Sequence, residues 1–205
     1  MARLLYLKAS PRGDRSHSVS VADAFVESYR QTHPRDEVVV VDVFKENLPV
    51  FDGFALQAKY AILGGKDKTP EEVQAWKAVE AVIEKFKSAD KYVIAAPMWN
   101  FGIPYRLKQY IDVLVQPAYT FSYDPVKGYT GLVTGKPLTL ILARGGEYDG
   151  GPYDMQKAYL ELIAGFIGFT NIRSIVIQPT LGGADIAAQK RKAAIEEARV
   201  MAKTF

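Results

Sequence analysis

The chain has 205 residues, 48% of them hydrophobic and 24% charged, and its 26 basic and 23 acidic side chains leave a net charge of only +3. Such a composition belongs to a globular protein large enough to bury a substantial core, and charges interleaved this evenly offer no stripe for a nucleic-acid backbone. There is no cysteine, which excludes disulfides, thiolate nucleophiles and cysteine-held metals, and the two histidines, His17 and His33, form neither a metal pair nor part of a serine triad.

The first apolar run, over 4–7, ends at Lys8 and is too short for a secretory signal, so it is read as a strand. A polar loop over 9–18 leads into a helical pattern over 19–32. Val38, Val39, Val40 and Val41 make a second strand, β-branched throughout, as in strands covered on both faces. A long connection over 44–69 leaves room for a short helix over 55–63. It ends in Thr69, Pro70, Glu71 and Glu72: an N-cap threonine, proline at the first helical position and a glutamate reaching back. Val73, Trp76, Val79, Ile83 and Phe86 give that helix its buried stripe.

The third strand, over 92–96, runs into Pro97, Met98, Trp99, Asn100, Phe101 and Gly102, and a helix beginning near Pro104 buries Leu107, Tyr110, Ile111 and Leu114. An aromatic excursion follows, with Tyr119, Phe121, Tyr123 and Tyr129. The fourth strand covers 138–143. Gly151 and Pro152 are expected to open a helix carrying Met155, Tyr159, Leu162, Ile163 and Phe166, closed by Gly168. A fifth strand over 172–177 and a helix over 184–203 complete the chain. Five strands separated by helices predict one α/β domain over residues 1–205, a parallel sheet with helices on both faces. The expected strand order is the flavodoxin-like 2-1-3-4-5. No run approaches the ~18 apolar residues of a membrane span. The expectation is a cytoplasmic protein with a small-molecule task.

In that order the first, third and fourth strands are neighbours, and the loops at their carboxyl ends share one rim, where ligands of open parallel sheets bind. The first loop offers the hydroxyls of Ser10, Ser16 and Ser18 before a helix amino terminus, with Arg12 and Arg15 beside them. Free N–H groups and the helix dipole suit a phosphate monoester there; an ordinary N-cap is the alternative use of the serines. The second loop gives Met98, Trp99 and Phe101 as a ring platform and Asn100, whose carboxamide donates and accepts at once, as a flavin pyrimidine edge requires. The third, Arg144, Gly145 and Gly146, suits an anion hole for reduced flavin; a turn at positive φ is the plainer use of paired glycines. Neither a Gly-x-Gly-x-x-Gly fingerprint nor a Walker A sequence is present. The combination predicts FMN rather than FAD.

These residues resemble the FMN-dependent NADH:azoreductases, a branch of the flavodoxin-like NAD(P)H:quinone oxidoreductases. The likeness rests on Ser10, on Ser16, His17 and Ser18, on the Pro97–Phe101 motif and on Arg144, Gly145 and Gly146, and extends over essentially the whole chain. It implies a homodimer with FMN at the interface, passing two electrons from NADH or NADPH to quinones or azo compounds. With one face of the ring taken by the rim loops, both substrates are expected to use one stacking pocket in turn, a ping-pong route. It further implies phosphate binding by Ser10, Ser16, His17 and Ser18, a ring flanked by Pro97, Met98, Trp99, Asn100 and Phe101, and a pyrimidine edge held by Ala143, Arg144, Gly145 and Gly146. Phe101, Tyr123 and Phe166 would shape the substrate pocket. After Gly146 the chain offers Tyr148 and Tyr153 but no histidine as a proton donor. No metal is implied. The alternatives are a flavodoxin-type electron carrier without turnover of its own, for which the chain is long and basic, and an acyl-carrier-protein phosphodiesterase, for which it lacks a nucleophile or metal cluster.

Overall fold

The central strands of the sheet alternate between two apolar environments, and that alternation fixes where the helices lie. The run over 38–41, expected to be covered on both faces, is at the sheet edge and leaves Val40 exposed. The computed structural model describes residues 1–148 and 150–205. The elements of its main sheet are β1 (Arg3–Lys8), β2 (Glu37–Asp42), β3 (Lys91–Pro97), β6 (Pro137–Ala143) and β7 (Asn171–Ile177), all parallel in the order β2-β1-β3-β6-β7. Counted among these five strands, that is the expected 2-1-3-4-5.

Leu4 and Tyr6 of β1, Val93 and Ala95 of β3, and Ile141 and Ala143 of β6 pack with α1 (His17–Thr32) and α6 (Ala184–Lys203). Leu5, Leu7, Tyr92, Ala96, Leu138, Leu140 and Leu142 point the other way, into a core shared with α3 (Pro70–Lys87), α4 (Tyr105–Leu114) and α5 (Met155–Ile167). The two-residue period of a strand therefore serves two helical layers. The short α2 (Gly53–Leu63) is capped by Asp52, whose carboxylate accepts from the amides of Phe54 and Ala55. At α3 the expected box is complete: the Thr69 hydroxyl accepts from Glu72 N, and Glu72 reaches back to Thr69 N.

Two elements differ from expectation. Gly151 and Pro152 do not open α5. Asp154 does, its carboxylate accepting from Lys157 N, because a side-chain acceptor satisfies a terminal amide and proline has none to offer. The aromatic excursion contains a two-stranded hairpin, β4 (Phe121–Asp124) and β5 (Gly128–Gly131), paired antiparallel. Asp124 accepts from the amides of Val126 and Lys127 at 2.8 Å each, and Gly128, at φ 76°, turns the chain. The hairpin lies on α5, where Phe166 meets Phe121 and Tyr129 at centroid distances of 4.9 and 5.5 Å.

Candidate functional site

The order of the sheet sets the carboxyl ends of β1, β3 and β6 side by side. After β1 the chain makes one 3-10 turn over Gly13–Arg15, and Ser16 caps α1 by accepting from Val19 N at 3.3 Å. The Ser16 and Ser18 hydroxyls lie 3.3 Å apart. Ser10 is buried, and its hydroxyl has no hydrogen-bond partner among the described residues. The amides of His17 and Ser18, at the first turn of α1, have no acceptor among the described residues either. His17 Nδ1 is a further buried atom without a partner. Burial first, then the cations of Arg191 and Arg12, hold the His17 imidazole below its ordinary pKa. Arg12 and Arg15 are exposed and paired with no carboxylate among the described residues. Several donors thus converge where the protein supplies no acceptor, at the positive end of a helix. A phosphate is the complement of that arrangement.

Beyond Pro97, Met98 N continues the ladder by donating to Ala143 O at 2.7 Å. Trp99 and Gly102 then exchange both backbone hydrogen bonds, at 3.1 and 2.9 Å, around Asn100 and Phe101. Both central residues have positive φ, 48° and 67°. That is the signature of a type I′ turn, in which Asn is well tolerated at the first position and Gly is strongly preferred at the second. A phenylalanine held in the left-handed region costs about 1–2 kcal/mol, and strain of this kind concentrates at functional sites. Asn100 is exposed, its side chain unbonded among the described residues. The Trp99 ring packs on Phe44 and Tyr105 at 5.9 and 6.3 Å, so it braces the turn as well as facing the rim.

After β6, neither Gly145 nor Gly146 has positive φ, which removes the plain-turn explanation for this pair. A Cβ at Gly145 would lie 2.8 Å from Cδ1 of the exposed Leu181 side chain, and one at Gly146 3.2 Å from the Tyr148 hydroxyl, so a larger residue at either position would have to displace a neighbouring side chain. Gly145 O accepts from Thr180 N and Leu181 N, tying this loop to the β7–α6 connection, while the amides of both glycines have no acceptor among the described residues.

Arg144 corrects an expectation. Its guanidinium does not face the rim; its side chain is 1% exposed and forms a two-point ion pair with Asp154 at 2.9 and 2.5 Å. It also donates to Gln156 Oε1 and Tyr148 O. Its own amide donates to Ile177 O. The cation that was to stabilise a flavin anion is thus consumed inside the protein, because a guanidinium without acceptors cannot be buried. The anion-hole role passes to the two glycine amides. Asp154 and Gln156 carry no motif that marks them in the sequence; their partners are 10 and 12 residues away across a loop.

The aromatic residues divide into two groups. Phe101 meets Tyr148 edge-on at 6.2 Å and Tyr153 at 5.2 Å, which joins the second and third loops of the rim. Tyr123 pairs with Tyr129 at 5.0 Å in the hairpin, beside Phe166. Phe166 lies near the far end of α5, a 13-residue helix that carries the chain from the carboxyl rim back toward the start of β7. At a rise of about 1.5 Å per residue, the helix carries Phe166 about 16 Å along its axis from Met155, the end that follows Tyr153. Within one chain, Phe101 therefore does not share a pocket with Tyr123 and Phe166. The rim itself is open: Phe101, Tyr105 and Tyr153 are all exposed.

Comparison with known proteins agrees with this geometry. A family model described as a flavodoxin-like fold matches residues 2–201. The chain is 56% identical over 210 residues to an FMN-dependent NADH:quinone oxidoreductase of Nitratidesulfovibrio vulgaris, covering 100% of both. It is 45% identical over 194 residues to a protein of that name from Desulfotalea psychrophila, covering 93% of this chain and 91% of the other. Among solved structures, an azoreductase from Bacillus anthracis matches over 100% of both chains with a TM-score of 0.92 at 36% identity. An FMN-dependent NADH-azoreductase from the same species, in complex with FMN, matches over 98% of this chain and 100% of the other, with a TM-score of 0.85 at 27% identity. Matched along nearly all of its length, the chain belongs to the flavodoxin-like family that includes the FMN-dependent NADH:quinone oxidoreductases and the azoreductases.

Proposed function

We propose that this chain is an FMN-dependent oxidoreductase that passes two electrons from NADH or NADPH to quinones and azo compounds, acting in the cytoplasm as a homodimer of one-domain subunits. The observation that carries the reading is the buried Ser10 hydroxyl, without a partner among the described residues, on the loop that leads from β1 into the free amides of the α1 terminus. A phosphate monoester supplies the acceptors that all of them lack. Ser10, Ser16, His17 and Ser18 hold that phosphate; Pro97 to Phe101 flank the ring, with Asn100 reading its pyrimidine edge; Ala143 O positions Met98, and the Gly145 and Gly146 amides face the edge that gains negative charge. When bound, FMN would supply the two-electron redox chemistry between the nicotinamide and the acceptor. The protein's part is to bind, orient and cover.

The Met98–Phe101 loop would hold one face of the ring, which would leave a single face for nicotinamide and acceptor to share in turn. Initial rates against NADH at several fixed quinone concentrations are expected to give parallel lines, with flavin bleached by NADH before any acceptor is added. Intersecting lines with a ternary complex would remove the shared pocket. Bleaching without acceptor turnover would instead favour an electron carrier.

A second copy supplies what one chain lacks. Tyr123, Tyr129 and Leu162 are 62%, 64% and 73% exposed on the hairpin and the outer face of α5, and the rim presents exposed aromatics of its own. Contiguous apolar surface of this sort marks an interface. Joining the hairpin of one chain to the rim of another brings Tyr123 and Phe166 over Phe101 and roofs the open site. Sedimentation at micromolar concentration is expected to give a dimer. A monomer that is fully active would overturn the shared roof.

A further inference from the structure

We infer that the buried Arg144–Asp154 pair, with Gln156, is a positioning device that sets the glycine amides of the third loop against the ring platform of the second. The inference rests on the reading of the rim as a flavin site. The guanidinium is bound by groups from several separate segments. These are Tyr148 O in the loop after β6, Asp154 at the cap of α5, Gln156 in its first turn, and the Gln178 side-chain oxygen, 3.4 Å away at the end of β7. Gln178 Oε1 also accepts from Tyr148 N at 3.2 Å. Gln156 carries the network across the sheet: its Nε2 donates to Ala96 O at 3.1 Å, immediately before the Pro97–Gly102 loop. One connected set of hydrogen bonds therefore reaches from the platform's base to the loop that holds Gly145 and Gly146.

Stability alone does not account for this pair. Replacing a buried ion pair with apolar side chains of similar volume is often neutral or stabilising, because two charges must be desolvated to form it. What a planar fork gripped at all its edges gives, and packed methyl groups do not, is a fixed direction for each segment it touches. A two-sided ligand site needs that, since its loops must stay within a few tenths of an ångström of the productive geometry. Because the pair is neutral as a unit, the polarity facing the ligand comes from the amides, and the pair acts on the ligand only through their placement.

The test is the double variant R144M/D154L, which removes both charges and fills the space. The cofactor-free protein is expected to melt a few degrees below wild type, because Asp154 also caps α5, while the FMN dissociation constant, from quenching of FMN fluorescence, rises at least tenfold and the flavin midpoint potential moves to a more negative value. R144K, which keeps the charge but not the fork, is expected to weaken FMN binding as well. Should the double variant fail to fold, Q156M answers the same question, since it cuts the tie to Ala96 and leaves the ion pair intact; at least a fivefold weaker FMN affinity is expected. If FMN affinity stays within twofold of wild type and the midpoint potential does not shift in whichever of these variants folds, the pair is structural only and the inference falls. If wild type itself binds no FMN, the reading of the site fails instead.

Discussion

Replacing Ser10 by alanine is expected to weaken FMN binding roughly ten- to a hundredfold while making the cofactor-free protein more stable. The two effects have opposite sign for one reason. Ser10 is 4% exposed, and its hydroxyl is bonded to nothing among the described residues. In the absence of a ligand it is a desolvated polar group without compensation, which costs about 1–3 kcal/mol. Removing it recovers part of that, worth about 2–4 °C in melting temperature for a chain of this size. With a phosphate present the same hydroxyl makes a hydrogen bond to a charged group, worth about 1.5–3 kcal/mol, and its loss appears in the dissociation constant. Ser16 gives no such separation, because its oxygen also caps α1 through Val19 N and an alanine there loses about 1 kcal/mol of helix stability as well. Melting curves with and without FMN, combined with titration, measure both quantities. An S10A protein with unchanged FMN affinity would place the phosphate elsewhere.

Phe101→Gly is expected to leave stability within about 1 kcal/mol of wild type, although it deletes a large aromatic side chain that would cost about 3–5 kcal/mol in a packed core. Phe101 is not in a packed core: it is 44% exposed and sits at φ 67° in the second central position of a type I′ turn, behind Asn100. Asn-Gly is the preferred pair for that turn, so glycine relieves about 1–2 kcal/mol of left-handed strain. That relief offsets the lost ring contacts with Tyr148 and Tyr153 and the added freedom of the unfolded chain. Function is expected to go the other way, with kcat/KM for a quinone falling at least tenfold. A variant that is both unstable and inactive would show the ring to be structural; one that is stable and fully active would remove Phe101 from the site.

The five strands, the main helices and their caps at Thr69 and Gly168 were legible because each depends on neighbours in sequence. A short unbroken apolar run marks a strand covered on both faces, and a cap is satisfied within three residues. The same locality explains what was misplaced. Gly151-Pro152 looks like a helix start, yet Asp154 is the residue with an acceptor for a free amide. The β4–β5 hairpin was read only as an aromatic excursion, since its strands are four residues each and its partner surface on α5 comes more than 30 residues later.

The amino-acid sequence by itself determined the fold class, the family and the three loops that build the rim, because the residue types that suit phosphate, ring and carbonyl are carried on short contiguous stretches after strands. Only the tertiary structure decided what each side chain is free to do. Arg144 is a cation in any reading of the sequence, but whether it faces a ligand or an aspartate 10 residues on depends on how the β6–α5 loop folds back, and the high cost of burying an unpaired charge gives it to Asp154. Phe101, Tyr123 and Phe166 are alike as aromatic residues, yet α5 separates the last two from the first, and no local pattern encodes the direction in which a helix carries its far end. Ser10 differs from any other loop serine only in that folding strips it of water without giving it a partner. That is a property of packing in three dimensions.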